Sequence, residues 1–148
     1  MGLKVHHTGV VPRDLEASLR FWRDGIGLEI LSDVPDVEGD WPRLFGLGTH
    51  SARTISLGDP ADRSAGVLEL VVFDDGFTPP PPAPLSSGFL LVSFVGVDIE
   101  AMLSRLRSHG FEPVGRMQGN TATATFEVAT IRDPDGVLVE LVGTARPL

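Results

Sequence analysis

Two stretches of the chain carry apolar residues at helical spacing, and each is bracketed by runs that alternate or stay apolar in the manner of strands. In the second stretch Ile99, Met102, Leu103 and Leu106 fall at i, i+3, i+4 and i+7, one face of a helix. It opens with DIEAML from Asp98; the first opens with DLEASL from Asp14. Both begin with an Asp suited to cap free amides, and a Glu two residues later sits near the positive helix end. Gly27 and Gly110 follow the two helices, each succeeded by an apolar residue and a Glu that open a strand (Leu28-Glu29, Phe111-Glu112). Extended runs precede the helices at 4–11 and 89–95. Further strands are predicted at 28–34, 53–57 and 67–73, and again at 112–117, 121–132 and 137–142. The order is βαβββ, twice.

The two series are copies of one another. At an offset of 84 residues Asp14 lies over Asp98, Leu15 over Ile99, Glu16 over Glu100, Ala17 over Ala101 and Leu19 over Leu103. GVLELV from Gly66 returns as GVLVELV from Gly136 with one residue inserted. Between the copies stands DDGFTPPPPAPLSSG, whose prolines remove amide donors and hold an extended backbone. The expected organisation is a first module at 1–73, a Pro-rich connector at 74–87 and a second module at 88–148, together one α+β domain. Within the first module a longer loop at 35–51 carries Trp41, Phe45 and His50 and has the length of a functional lid.

Alternation isolates two acids. Val67, Glu69, Val71 and Phe73 share one strand face, and Leu138, Glu140 and Val142 share another, so each glutamate is the ionisable group of an apolar row. A single such residue reads as a rim position. The same placement in both copies points to a shared inward-facing cup, where two carboxylates need a cation, a basic partner or a shared proton between them. His7, on the strand face of Val5, Gly9 and Val11, is a candidate ligand.

Composition narrows the chemistry. The 148 residues include no Cys, which removes disulfide frameworks, thiol catalysis and cysteine-ligated metal centres. Asp plus Glu number 20 against 12 Lys plus Arg, a net charge of −8, which disfavours nucleic acid as a partner. No run reaches the roughly 18 to 20 apolar residues of a membrane span, and MGLKVHH lacks the apolar core of an export signal, so a cytoplasmic location is expected.

The opening HHTGVVPRDLEASLRFWRDGIGLEIL and the closing IRDPDGVLVELVG resemble the two ends of the vicinal oxygen chelate superfamily, which includes glyoxalase I, methylmalonyl-CoA epimerase, extradiol dioxygenases and bleomycin-resistance-type proteins. The resemblance spans essentially the whole chain. It implies paired βαβββ modules forming a cup-shaped, mostly antiparallel sheet, with a divalent ion (Zn, Mn, Ni or Fe) held by one ligand from the first and one from the last strand of each module. On this sequence His7, Glu69 and Glu140 match three of those positions, and the remaining one is Leu91, which cannot coordinate. The two-histidine, one-carboxylate set of a ferrous dioxygenase is thereby broken.

Two functional readings follow. One is a metal-dependent lyase or isomerase of the glyoxalase or epimerase kind, acting on a small carbonyl compound, with Glu140 or Glu69 as the proton-transfer group. The other is a metal-free binder of a hydrophobic small molecule, with Leu91, Trp41, Phe45, Phe126 and Met117 lining the pocket. Arg43, Arg53 and Arg116 are candidates to meet an anion, His6, His50 and Glu127 are substitute ligands, and RDPDG from Arg132 reads as a turn. The resemblance also implies a homodimer.

Overall fold

Strands form where the alternation predicts them, and their pairing repeats. The computed structural model describes residues 3–39, 44, 51–73, 88 and 91–147. The connector 74–87, Trp41, Arg43, Phe45 and His50 lie outside the described residues. The first unit, Met1–Glu16 with Gly27–Pro80, holds β1 (His7–Val10), β2 (Glu29–Glu38), β3 (Ser51–Gly58) and β4 (Val67–Phe73) in the order β1-β4-β3-β2. β1 runs parallel to β4 and the other pairs are antiparallel. The second unit, Ala17–Ile26 with Pro81–Leu148, holds β5 (Leu91–Val97), β6 (Pro113–Asn120), β7 (Ala124–Arg132) and β8 (Leu138–Gly143) in the order β5-β8-β7-β6. Again the first strand is parallel to the last, and a short β9 (Arg146–Pro147) joins β7. This is the expected α+β class, with one strand order built twice.

Several ends differ from expectation for identifiable reasons. β1 starts at His7 rather than residue 4. β2 continues through Pro35 to Glu38, which is tolerated because β2 is an edge strand and its register slips between Val34 and Val37. β5 reaches Val97 through a bulge at Gly96, whose φ of 72° suits glycine.

From Ala17 to Ile26 the helical segment of the first sequence copy belongs to the second unit. α1 (Leu15–Leu19) continues as a wider π-helical stretch over Arg20–Ile26. Phe21 and Trp22 are fully buried and meet edge to face, with Phe111 against Phe21 at 4.9 Å. α2 (Ile99–Ser108) buries Ile99, Leu103 and Leu106, as its periodicity predicts. Asp98 caps it by accepting the Ala101 N–H at 3.0 Å. Its end is closed by Gly110 at φ 87°, with the Phe111 and Gly110 amides returning to the carbonyls of Leu106 and Arg107. The stretch 20–26 approaches α2 at Gly25, where a Cβ would stand 2.8 Å from Leu106 Cδ2. Arg105 donates to the carbonyls of Gly25 and Ile26, both at 2.7 Å, satisfying acceptors at that helix end. Among the described residues no helix is long and apolar enough to cross a membrane.

Candidate functional site

In the first unit the parallel pairing of β1 with β4 sets Gly9 opposite Glu69 and His7 opposite Val67. Alternation then places the His7 and Glu69 side chains on one face, and His7 Nε2 lies 3.9 Å from Glu69 Oε2. Both are partly open to solvent, 52% and 28% exposed. Two donors bound to one tetrahedral ion at about 2.1 Å stand roughly 3.4 Å apart, so this pair needs only a small inward movement to share a cation. In donor type and spacing the pair fits half of a divalent site. Within each unit, no group of three or more His, Asp or Glu side chains gathers at metal-binding spacing among the described residues.

His6 departs from expectation. A strand running from residue 4 would send it to the face opposite His7. Its Nδ1 instead sits 3.0 Å from His7 Nδ1, with the rings edge to face.

The second unit repeats the arrangement with different chemistry. Glu140 on β8 stands opposite Ser93 on β5 and Thr130 on β7. Ser93 Oγ donates to Glu140 Oε2 at 2.7 Å. Leu91, at the position that matches His7, is half-buried opposite Leu138. Ser93 escapes a reading built on ionisable and aromatic residues, although the 84-residue offset, which lays it over Gly9, marks the position.

Of the proposed pocket residues, Phe126 and Met117 line a cleft of about 780 Å³ in the second unit, beside Val97, Ile99, Glu100 and Arg116. Phe126 covers Gly119, its register partner. Leu91 is not in that lining, and Trp41 and Phe45 lie outside the described residues. Arg116 is not free to meet an anion. It donates to Glu100 Oε1 at 2.6 Å and also pairs with Glu127, which commits one oxygen of that carboxylate. These carboxylates hold the Arg116 guanidinium pKa above its ordinary value. Arg53 is likewise engaged, in a two-pronged bond to Asp33 at 2.9 and 2.7 Å, which holds the Asp33 carboxyl below the usual range.

The turn from Arg132 does more than reverse the chain. Gly136 has φ 89° and its amide returns to the Asp133 carbonyl, as turn chemistry predicts. Yet Asp133 is buried, 4% exposed, and accepts the amides of Asp135 and Val137 and the Trp22 indole N–H. Burial pushes its carboxyl up to about 6 against the lowering effect of those three donors. Asp135 in turn accepts from the buried Ser18 hydroxyl at 2.8 Å. Two aspartates of one turn thus tie residues 17–26 to the second sheet.

The profile of the Glyoxalase/Bleomycin resistance protein/Dioxygenase superfamily matches residues 4–141. The chain is 37% identical over 157 aligned positions to lactoylglutathione lyase-like protein terB of Aspergillus terreus, covering 97% of this chain and 75% of that protein. It is similar to the crystal structure of a glyoxalase family protein from Bacillus cereus, at TM-score 0.78 and 27% identity over 97% of this chain and 95% of the other. It also shares the fold of a glyoxalase I variant from Zea mays, at TM-score 0.66 and 18% identity over 97% of this chain and 46% of that one.

Proposed function

The chain belongs to the Glyoxalase/Bleomycin resistance protein/Dioxygenase superfamily, and from that premise we propose that it is a divalent-metal-dependent lyase or isomerase of the glyoxalase or epimerase type. The observation that carries the reading is the pairing of His7 Nε2 with Glu69 Oε2 at 3.9 Å on one sheet face. In this reading His7 and Glu69 hold the ion, Zn, Mn, Ni or Fe, and Glu140 is the third ligand that the superfamily resemblance implies. Leu91 leaves the remaining position to water or substrate. When bound, the ion supplies Lewis-acid polarisation of a substrate oxygen. Glu140 removes the proton from the hydroxyl-bearing carbon beside a carbonyl and returns it to the carbonyl carbon, while the hydroxyl proton passes to the former carbonyl oxygen, an isomerisation with no net change in composition. Glu69 is the alternative for that role. Dioxygenase chemistry ranks below, because Leu91 breaks the two-histidine set it requires.

The test starts with elemental analysis of protein purified without chelators. A divalent ion close to one per chain is expected, with conversion of the hemithioacetal of methylglyoxal and glutathione as the assay. Glu140→Gln should abolish turnover. Metal-free protein indifferent to added divalent ions removes the reading.

A second reading, metal-free binding of a hydrophobic small molecule, is favoured by Leu91 at the matched ligand position and by the cleft bearing Phe126 and Met117. Calorimetric titration with a panel of aromatic natural products tests it; failure of every ligand to raise the melting temperature counts against it. Both readings take the protein as a cytoplasmic homodimer, to be checked by cell fractionation and light scattering.

A further inference from the structure

The two copies of the βαβββ unit differ in what surrounds their glutamates. In each unit the acid lies on the last strand, facing a residue of the parallel first strand: Gly9 opposite Glu69, Ser93 opposite Glu140. The same offset that lays Ser93 over Gly9 lays Leu91 over His7. The first copy therefore sets an imidazole beside its acid and no side chain directly opposite. The second has lost the imidazole and gained a hydroxyl, which donates to Glu140 Oε2 at 2.7 Å.

These neighbours suit different tasks. An imidazole beside a carboxylate offers a second lone pair to a cation. A serine hydroxyl carries one proton, already given to Glu140 Oε2, and is a poor ligand while protonated. It fixes the rotation of the carboxylate and commits one oxygen, so Oε1 is the atom presented to a ligand. At an exposed position such a bond adds little to stability; its effect is on orientation, where a misplacement of about 1 Å costs as much as 100-fold in rate.

We propose that Ser93 is a positioning residue for Glu140, and that it divides the work of the two copies: Glu69 partners a metal-binding imidazole, whereas Glu140 is held by a protein hydroxyl as the proton-transfer carboxylate. This rests on the isomerase reading given above. In the step concerned, Glu140 Oε1 takes the proton from the hydroxyl-bearing carbon beside a carbonyl and delivers it to the carbonyl carbon, while the hydroxyl proton passes to the former carbonyl oxygen; one carbon is oxidised as its neighbour is reduced, with no net electrons gained or lost.

The experiment compares full-length wild type, Ser93→Ala and Ser93→Thr by crystallography, Ni²⁺ titration calorimetry and turnover of the methylglyoxal–glutathione hemithioacetal. Ser93→Ala is expected to lose the single orientation of the Glu140 carboxylate and to lower kcat by about tenfold or more, with KM and Ni²⁺ affinity nearly unchanged. Ser93→Thr, which restores the hydroxyl, should recover both the orientation and kcat. An unchanged Glu140 orientation in Ser93→Ala, or wild-type kcat in that variant, overturns the proposal. A loss of Ni²⁺ affinity of about tenfold in Ser93→Ala with kcat unchanged also overturns it, by showing that Ser93 supports ion binding rather than proton transfer. Should the wild type bind no Ni²⁺ and turn nothing over, the isomerase reading fails. The crystallographic comparison then still decides whether Ser93 orients Glu140.

Discussion

Replacing Asp133 by Asn isolates the pH response of one buried acid. Asp133 is 4% exposed, and burial raises its carboxyl from 3.8 to about 6. Between those two pH values the folded chain holds a proton that the unfolded chain has released. Stability therefore falls as pH rises through this window, and levels off above about 6. At about 1.36 kcal/mol per pH unit, the shift corresponds to ~3 kcal/mol in all, of which ~2 kcal/mol is lost between pH 3.8 and 6. The opposing acids Asp24, Asp33 and Asp62 have carboxyls held below the usual range, so their stabilising effects disappear only as pH falls towards and below 3.8. They are shared by wild type and variant and cancel in the difference. Asp133→Asn keeps the shape of the side chain but turns an amide towards the Trp22 indole N–H. That leaves a buried donor unpaired, at about 1–3 kcal/mol, an offset that does not vary with pH. The assay is urea unfolding of both proteins at half-unit intervals from pH 4 to 7.5. The wild type should lose ~2.4 kcal/mol relative to the variant across that range, nearly all of it below pH 6.5. A difference that is flat, or that grows in favour of the wild type with rising pH, would refute the argument and show that the three N–H donors outweigh burial.

Three further outcomes are expected. Arg105→Met removes the donors that close the helix end at Gly25 and Ile26, and should lower stability by about 1–3 kcal/mol in thermal melts; no change would mean that water satisfies those carbonyls equally well. Gly25→Ala drives a Cβ to within 2.8 Å of the buried Leu106, so despite better helix propensity it should cost about 1–2 kcal/mol, and an unchanged or raised melting temperature would show that Leu106 can give way. A fragment comprising residues 88–148 lacks Phe21 and Trp22, whose individual loss costs about 3–5 kcal/mol each. It should give a collapsed amide NMR spectrum, and a well-dispersed spectrum would contradict the placement of residues 17–26 in the second unit.

Much about this protein is a property of short stretches, and the sequence determined it alone. The spacing of Ile99, Leu103 and Leu106 specifies a buried helix face whatever it packs against. The glycines at 27, 110 and 136 all adopt the positive φ that chain reversals require. The internal offset of 84 implies one topology used twice, and the two sheets have the same strand order. Alternation sets Glu69 on an apolar strand face and makes His7 a candidate ligand, and the superfamily resemblance implies that the two belong to one ligand set. Tertiary structure alone decided which sheet each element serves. The repeat assigns residues 17–26 to the first copy, yet Phe21, Trp22 and Ser18 find their partners in Phe111, Asp133 and Asp135, about a hundred residues away. Register decided that Ser93, rather than a charged neighbour, meets Glu140. Burial turned Asp133 from a turn residue into the anchor of a helix. Periodicity is local because it reflects backbone geometry over a few residues. Partnership is global, because desolvation and hydrogen bonding are fixed only when distant segments close over one another.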